Sequence, residues 1–339
     1  MSGAGLVTVF GGTGFIGRHL VEALVNRGLR VRVVSRRRAP ALPPRGDLSV
    51  VNADLADAAS LRRAVEGSAV VFHLATGGGD TWADFAREAV DGTRLIAEAC
   101  LDAQVQRLIY TSSSAALYLG ARGTIDESAG TDPRPHRRSM YSRAKIEAER
   151  LLLRMHREHG LPVVILRPAV VLGSGGTAAH AGFGTWPSDL CCIGWGLGTH
   201  PLPLVLVGDV VSALLAAIDA PGIEGRSYNL AGDVRMSARE FVHLVAALSR
   251  RRYRFYPRPV LYLHAIDVIK WMLKLAARKP ENPFPSLRDL RSNTLRTHID
   301  CSAARRDLGW RPIADRQAFV AQAILPHVRP VPPGDLRLT

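Results

Sequence analysis

The chain has 339 residues, 47% of them hydrophobic, enough to bury a sizeable core in one large α/β domain or two lobes. No apolar run reaches the roughly 18 residues that a membrane span needs. No basic segment with a cleavage site precedes the first strand pattern, and the four cysteines (Cys100, Cys191, Cys192, Cys301) lack metal-ligand spacing, so a reduced, cytoplasmic protein without a metal is expected. Lys and Arg number 44 against 30 Asp and Glu, a net charge of +14, but the cations are spread along the chain without a nucleic-acid motif. Nucleic acid is therefore not expected as a partner.

In chain order, residues 6–10 form an apolar, β-branched run that breaks at a glycine cluster and resumes at helical spacing through residues 19–25. In this strand, turn and helix, Gly11 allows the tight turn, Gly14 the close approach of a pyrophosphate, and Gly17 the packing of helix on strand. The pattern points to a dinucleotide site. Residues 30–35 alternate as a second strand. Where an acidic residue would bind the ribose 2′-hydroxyl of NAD, the chain offers Ser35 and Arg36, which favours the 2′-phosphate of NADP over NAD; the alternative is a solvated arginine run, Arg36 to Arg38. A loop follows at 40–44 and a short strand at 48–51. Asp54 then suits the adenine amino group or, equally, the start of the helix Ala58–Val65.

Residues 69–75 are a near-continuous apolar strand in which His73 reads as a packed side chain. The glycine-rich loop 76–80 lies at that strand's carboxyl end, a helix covers 85–99, and a strand over Arg107–Thr111 runs into Ser112, Ser113 and Ser114. Repeated strand and helix units predict a doubly wound parallel sheet. Tyr141 and Lys145 sit one helical turn apart on one face. An ammonium beside a phenol lowers its pKa from about 10, which lets the pair exchange a proton with a substrate hydroxyl or carbonyl. A serine at the end of the preceding strand would hold the same oxygen.

The ordered motifs Gly11-x-x-Gly14-x-x-Gly17, Asp54-Leu55, His73 to Ala75, Tyr110 to Ala115, Tyr141-x-x-x-Lys145 and Leu166 to Pro168 resemble the extended short-chain dehydrogenase/reductase superfamily, the NAD-dependent epimerase/dehydratase group. The resemblance continues through residues 202–211, 228–232 and 307–312, nearly the whole chain. It implies a Rossmann-type fold and a triad of Ser114, Tyr141 and Lys145, with Ser113 as the second candidate serine. It further implies that Gly11, Gly14, Phe15, Ile16 and Gly17 line the pyrophosphate, Asp54 and Leu55 meet adenine, Arg36 meets the ribose 2′ position, Leu74 and Ala75 flank the cofactor, and Arg167 and Pro168 close the nicotinamide end. Two residues depart from the family pattern: Phe10 replaces the customary Thr, and Ala89 replaces an Asn that orders the active site of relatives.

The expected organisation is a dinucleotide-binding domain over 1–172, rejoined by 203–234, with a smaller substrate lobe from 173–202 and 235–339. Trp186, Trp195 and His200 are candidate pocket residues, or else interface packing. Asp209 suits a helix cap, and Ser237 with Glu240 a capping box. Residues 260–279 form a long apolar helix with terminal cations, to be packed in the second lobe or laid on an anionic membrane surface, and 288–297 is a basic stretch that could face an anionic substrate. Hydride transfer at a carbinol or carbonyl carbon follows from the resemblance. A nucleotide-sugar epimerase or dehydratase is the first reading, a net reductase or dehydrogenase of an apolar steroid-like or flavonoid-like alcohol or ketone the second, and a non-catalytic cofactor-binding scaffold the third. A homodimer is left open.

Overall fold

The computed structural model describes residues 5–36, 47–249, 251–277 and 284–328. Arg37, Arg38, the loop expected at 40–44, and the cations Arg250, Arg278 and Lys279 lie outside them. The first half runs β1 (Leu6–Phe10), α1 (Phe15–Asn26), β2 (Arg30–Ser35), β3 (Leu48–Asn52), α2 (Ala58–Val65), β4 (Ser68–His73), α3 (Trp82–Phe85), α4 (Gly92–Asp102), β5 (Arg107–Thr111), β6 (Thr124–Ile125), α5 (Met140–His159) and β7 (Val163–Pro168). The second half runs β8 (Val170–Leu172), β9 (Gly184–Ser188), β10 (Cys191–Trp195), β11 (Pro201–Leu206), α6 (Val207–Asp219), β12 (Ser227–Leu230), β13 (Arg235–Ser237), α7 (Ala238–Ser249), β14 (Arg254–Arg258), α8 (Val260–Ala276), α9 (Leu287–Ser292), β15 (His298–Ile299), α10 (Ser302–Asp307), α11 (Arg316–Ala323) and α12 (Leu325–Val328).

Seven parallel strands form the central sheet in the order β12-β7-β5-β4-β1-β2-β3. Because side chains alternate across a strand, each strand feeds both faces. Val7, Val9, Val31, Val33, Val164 and Leu166 pack with α1 and α6 on one face. Phe10, Val34, Val163 and Ile165 pack with α2, α4 and α5 on the other. Burial on both faces explains why β4 and β7 read as near-continuous apolar runs. The chain order reverses at β1, whose neighbours are β2 and β4. Ligands bind at such a switch point, outside the carboxyl ends of the strands, and there the glycine turn and the serine run converge.

A third apolar cluster joins β8 and β11 to α7 and α11 through Phe183, Leu204, Phe241 and Phe319. The Phe183 and Phe241 rings stack with centroids 4.1 Å apart. The start of α7 carries the expected box: the Ser237 hydroxyl accepts from the Glu240 amide at 3.2 Å, and the Glu240 carboxylate accepts from the Ser237 amide at 3.3 Å.

The structure departs from expectation at three helices. The helix expected over 85–99 is broken by a π-helical segment, Ala86–Asp91, between α3 and α4. The tight approach of loop 76–80 accounts for the segment's surroundings: a Cβ on Gly77 would stand 2.5 Å from the Ala89 amide nitrogen. Asp209 does not cap α6, whose N-cap is Leu206 with no side-chain bond. Its carboxylate instead accepts from the Ile313 amide at 3.3 Å, and its carbonyl from Trp310 Nε1 at 2.8 Å, tying the C-terminal segment to α6. Lastly, α8 packs on α9 with a half-buried side but no fully buried residue, a shallower seat than a helix set into a lobe. No helix among the described residues is long and apolar enough to cross a membrane.

Candidate active site

The cofactor cradle is built at the end of β1. Gly11 has φ +79°, in the left-handed region, and the Gly14 amide donates to its carbonyl at 3.0 Å to close the turn. A Cβ on Gly11 would stand 2.6 Å from the Ala75 nitrogen and 2.8 Å from the Leu74 carbonyl carbon, so the loop after β4 lies against bare backbone. A Cβ on Gly17 would collide with the Gly11 carbonyl oxygen. No side chain caps α1. Its first turn keeps amide donors and the positive end of the helix dipole for an anion, with Phe15 and Ile16 on the wall of the adjoining cavity. The residues present therefore fit a dinucleotide pyrophosphate. One part of this cradle was not anticipated: Arg18 donates to the Gly175 carbonyl and the His19 ring bonds the Ser174 carbonyl at 2.8 Å, drawing loop 173–176 over the start of α1. The glycine run there was its sequence signal.

At the adenosine end, Asp54 is exposed and accepts from the Ala56 amide at 3.0 Å. Asp57, not Asp54, caps α2 by accepting from the Ala59 amide at 3.0 Å. Leu55 is buried against Gly92. Arg36 follows β2, exposed, and pairs with the Glu88 carboxylate at 3.3 Å. Glu88 also accepts from the Gly78 amide at 3.3 Å. The arginine expected at the 2′ position is thus tethered to a carboxylate that sequence reasoning did not single out.

The acid/base pair is carried by α5, whose N-cap Ser139 accepts from the Ser142 amide. Tyr141 keeps 40% of its surface open, on the wall of the cavity. Lys145 is buried, its Nζ donating to the Thr111 carbonyl at 2.9 Å and to Tyr110 Oη at 3.3 Å. Burial lowers its pKa to about 8, with the Glu149 carboxylate acting in the opposite direction. For Tyr141 the outcome differs from expectation: surrounding protein raises the phenol pKa, and the moderating influence is a hydrogen bond with Ser113.

Both candidate serines, Ser113 and Ser114, border the cavity beside the phenol. The Ser113 hydroxyl accepts from the Ala115 amide at 3.1 Å and is the polar neighbour that moderates the Tyr141 phenol. Ser114, expected in the triad, begins the following 3-10 turn and is buried, although it too borders the cavity. The three consecutive hydroxyls diverge because the strand ends at Thr111: Ser112 turns inward to Glu149, Ser113 faces the phenol, and Ser114 enters the turn.

Arg167 is a second correction. It does not close the nicotinamide end but lies 1% exposed, paired with Glu149 at 2.7 Å, while neighbouring Pro168 does border the cavity. Glu149, 0% exposed, was missed in the sequence. Its signal was an acid four residues after Lys145 on an otherwise apolar helix face. His73 is held neutral, its pKa lowered to about 3 by burial, with the nearby Lys145 ammonium a lesser cause. Its ring packs between Phe10 and Tyr110 and bonds Thr93 Oγ1 at 2.9 Å. Ala89 borders a narrow gap shared with Lys145, Tyr110, Tyr141 and Thr76, so the space beside the ammonium is open where the family's Asn would reach.

The cavity in front of Tyr141, about 870 Å³, is bordered by the serine run, the starts of α1 and α5, residues 168–171, loop 175–182 and α9. Its walls include Leu119, Pro168, Ala169, Val170, Val171, Trp195 and Leu295. Of the residues proposed from the second lobe only Trp195 borders it; Trp186 donates to the His180 carbonyl at 3.1 Å beside the third apolar cluster, and the His200 ring bonds the Thr294 carbonyl. Among the described lining residues the one guanidinium is Arg138, and it is spent: it is buried, with Asp132 at 2.9 Å and Asp289 at 3.1 Å. Arg288, in the stretch expected to face an anion, pairs with Asp132 at 2.7 Å and lies over the Tyr118 ring at 3.8 Å.

A glycine-bridged dinucleotide fold with a Tyr and Lys on one helix and a serine against the phenol defines the short-chain dehydrogenase/reductase class. Residues 7–231 match the model of the NAD dependent epimerase/dehydratase family. The chain belongs to that family. A 3beta-hydroxysteroid-dehydrogenase/decarboxylase of Arabidopsis thaliana is 32% identical over 197 residues, 51% of this chain and 45% of that one. The chain thus spans less than half of that plant relative's length. A 3-beta-hydroxysteroid dehydrogenase of Mycolicibacterium neoaurum is 25% identical over 94% of this chain and 90% of its own. Among solved structures, MoeE5 in complex with UDP-glucuronic acid and NAD superposes with TM-score 0.72 at 26% identity, covering 94% of this chain and 98% of that one.

Proposed function

We propose that the chain is an NAD(P)-dependent oxidoreductase that interconverts a secondary alcohol and a ketone on a neutral, largely apolar ring system. The observation that carries this reading is the cavity itself: Tyr141, Ser113 and Ser114 border a largely apolar space whose guanidinium, Arg138, is already neutralised by Asp132 and Asp289. A nucleotide diphosphate buried here would bring two negative charges with no free cation among the described lining residues, a severe desolvation cost. The hydroxysteroid relatives support the same substrate class.

The nicotinamide group, when bound, supplies or accepts the hydride. Gly11, Gly14 and the start of α1 would hold its pyrophosphate, and Arg36 the ribose, with NADP favoured by its guanidinium. Ser113 donates to the substrate oxygen and fixes its position. Tyr141 gives that oxygen a proton in reduction and takes one in oxidation. Lys145 holds its charge one helical turn away, on the Thr111 carbonyl, and stabilises the phenolate as it forms.

The competing reading, a nucleotide-sugar epimerase or dehydratase, rests on the likeness to MoeE5. Incubation with 3β-hydroxysteroids, dihydroflavonols and UDP-sugars, following cofactor absorbance and product mass, separates the two. Net absorbance change with an apolar alcohol or ketone is expected. Conversion of a UDP-sugar with no net absorbance change would overturn the apolar-substrate reading. Turnover surviving intact in Tyr141→Phe would remove the proposed proton donor.

A further inference from the structure

Helix α8 carries a surface that is left open among the described residues. Its 17 residues, Val260–Ala276, include none that is buried. Leu261 is 63% exposed, Ile269 52%, Met272 49% and Leu273 66%. Successive steps of three and four residues place Leu261, Ala265, Ile269, Met272 and Ala276 in one stripe, which Tyr262 and Leu273 widen on one side and Leu275 on the other. The opposite face turns back to the protein: His264 and Trp271 meet Phe284 edge-on at 6.2 and 5.3 Å. The helix is therefore docked through a half-buried side that also includes Leu263, Ile266 and Val268, and it presents a second apolar side outward.

We propose that this face seats α8 on an anionic phospholipid surface, parallel to the membrane plane. Charge decides between this occupant and a second copy of the chain. Exposed Lys270 stands beside the Leu273 edge of the stripe, exposed Lys274 lies further round on the side of Asp267, and exposed Arg258 stands two residues before the helix begins. The one acid on the helix, Asp267, lies on the polar side within 4.0 Å of Lys270. Apolar residues flanked by cations match a headgroup layer, in which the stripe enters the acyl boundary while the ammonium groups meet phosphates. A symmetric pairing of two copies would set these lysines against their own counterparts on a chain that carries +14. The helix is too short and too charged to cross a bilayer, so the contact is peripheral.

The location adds an independent reason. Helix α8 packs on α9, and α9 supplies Asp289 and Ser292 to the cavity wall. A bilayer against α8 would lie one helix away from the substrate cavity. Lipid binding itself does not depend on the substrate assignment and is read without turnover.

Flotation of the full chain with vesicles tests the proposal: phosphatidylcholine alone against equal parts phosphatidylcholine and phosphatidylglycerol. Binding to the anionic vesicles is expected, weakening as salt rises. Ile269→Glu with Met272→Glu should reduce the bound fraction about tenfold, with circular dichroism and dinucleotide binding unchanged. Lys270→Gln with Lys274→Gln should weaken binding about fivefold per charge on the anionic vesicles alone. No flotation, equal flotation with neutral vesicles, or binding that survives Ile269→Glu with Met272→Glu would overturn the proposal. So would a dimer in analytical ultracentrifugation that the same double substitution dissociates, which would assign the face to a second copy.

Discussion

Arg167 and Glu149 form a buried ion pair beneath the serine turn, 2.7 Å apart, with side chains 1% and 0% exposed. The carboxylate also accepts from Arg167 Nε at 3.0 Å and from the Ser112 hydroxyl, so it links β5, α5 and β7. Removing one partner strands the other charge in the interior. Glu149→Ala should destabilise the fold by about 3 kcal/mol in urea unfolding, and Arg167→Met in the same background should recover much of that loss. Equal stability of Glu149→Ala and the native chain would show the pair to be energetically idle.

The choice between the neighbouring serines is open to kinetics. Ser113→Ala should lower kcat about a hundredfold, and Tyr141→Phe by about a thousandfold or more, because each removes a group that meets the substrate oxygen. Ser114→Ala should change kcat by no more than a few fold. A larger loss in Ser114→Ala than in Ser113→Ala would return the triad to its sequence-based assignment.

Lys145 makes stability depend on pH in a definite direction. Burial lowers its pKa from 10.5 to about 8. Between those values the unfolded chain binds the proton and the folded chain does not, so this group's contribution to stability rises with pH from about 8 to 10.5 and is at its worst below 8. Relative to Lys145→Met, the native chain should gain about 3 kcal/mol across that window. The same titration should draw down kcat for ketone reduction above about pH 8, as the charge that supports Tyr141 is lost. Parallel stability curves for the two proteins would contradict this.

Glu88 competes with a 2′-phosphate for Arg36, which it holds at 3.3 Å. Glu88→Gln should free the guanidinium and tighten NADP about tenfold over NAD, and Arg36→Ala should remove that preference. Fluorescence titration of both nucleotides reads the ratio; tighter NADP binding in Arg36→Ala than in the native chain would exclude Arg36 from the site.

The succession of strands and helices in the first half of the chain, the glycine turn and the Tyr141 and Lys145 pair were legible because each is local. A period of two or 3.6, a left-handed glycine and a one-turn spacing are written in adjacent residues. The failures share a cause as well. Ser112 reads like its two serine neighbours, and only the end of β5 shows that it turns inward to Glu149. Arg167 looks the same in a pocket or a core, and Glu149, 18 residues away in sequence, decides which. Arg36 reads as a free cation until the π-helical segment brings Glu88 to it. The apolar pattern of 260–279 predicts a helix correctly but does not say which side faces the protein.

By itself, then, the sequence determined a doubly wound dinucleotide fold with its acid/base helix, since backbone preference and periodicity are short-range. Tertiary structure alone decided that Ser112 turns inward to Glu149, that the cavity's guanidinium is neutralised, and that α8 keeps an apolar side in the open. Those outcomes depend on contacts between residues far apart in the chain, where pairing and burial, not residue type, set the chemistry.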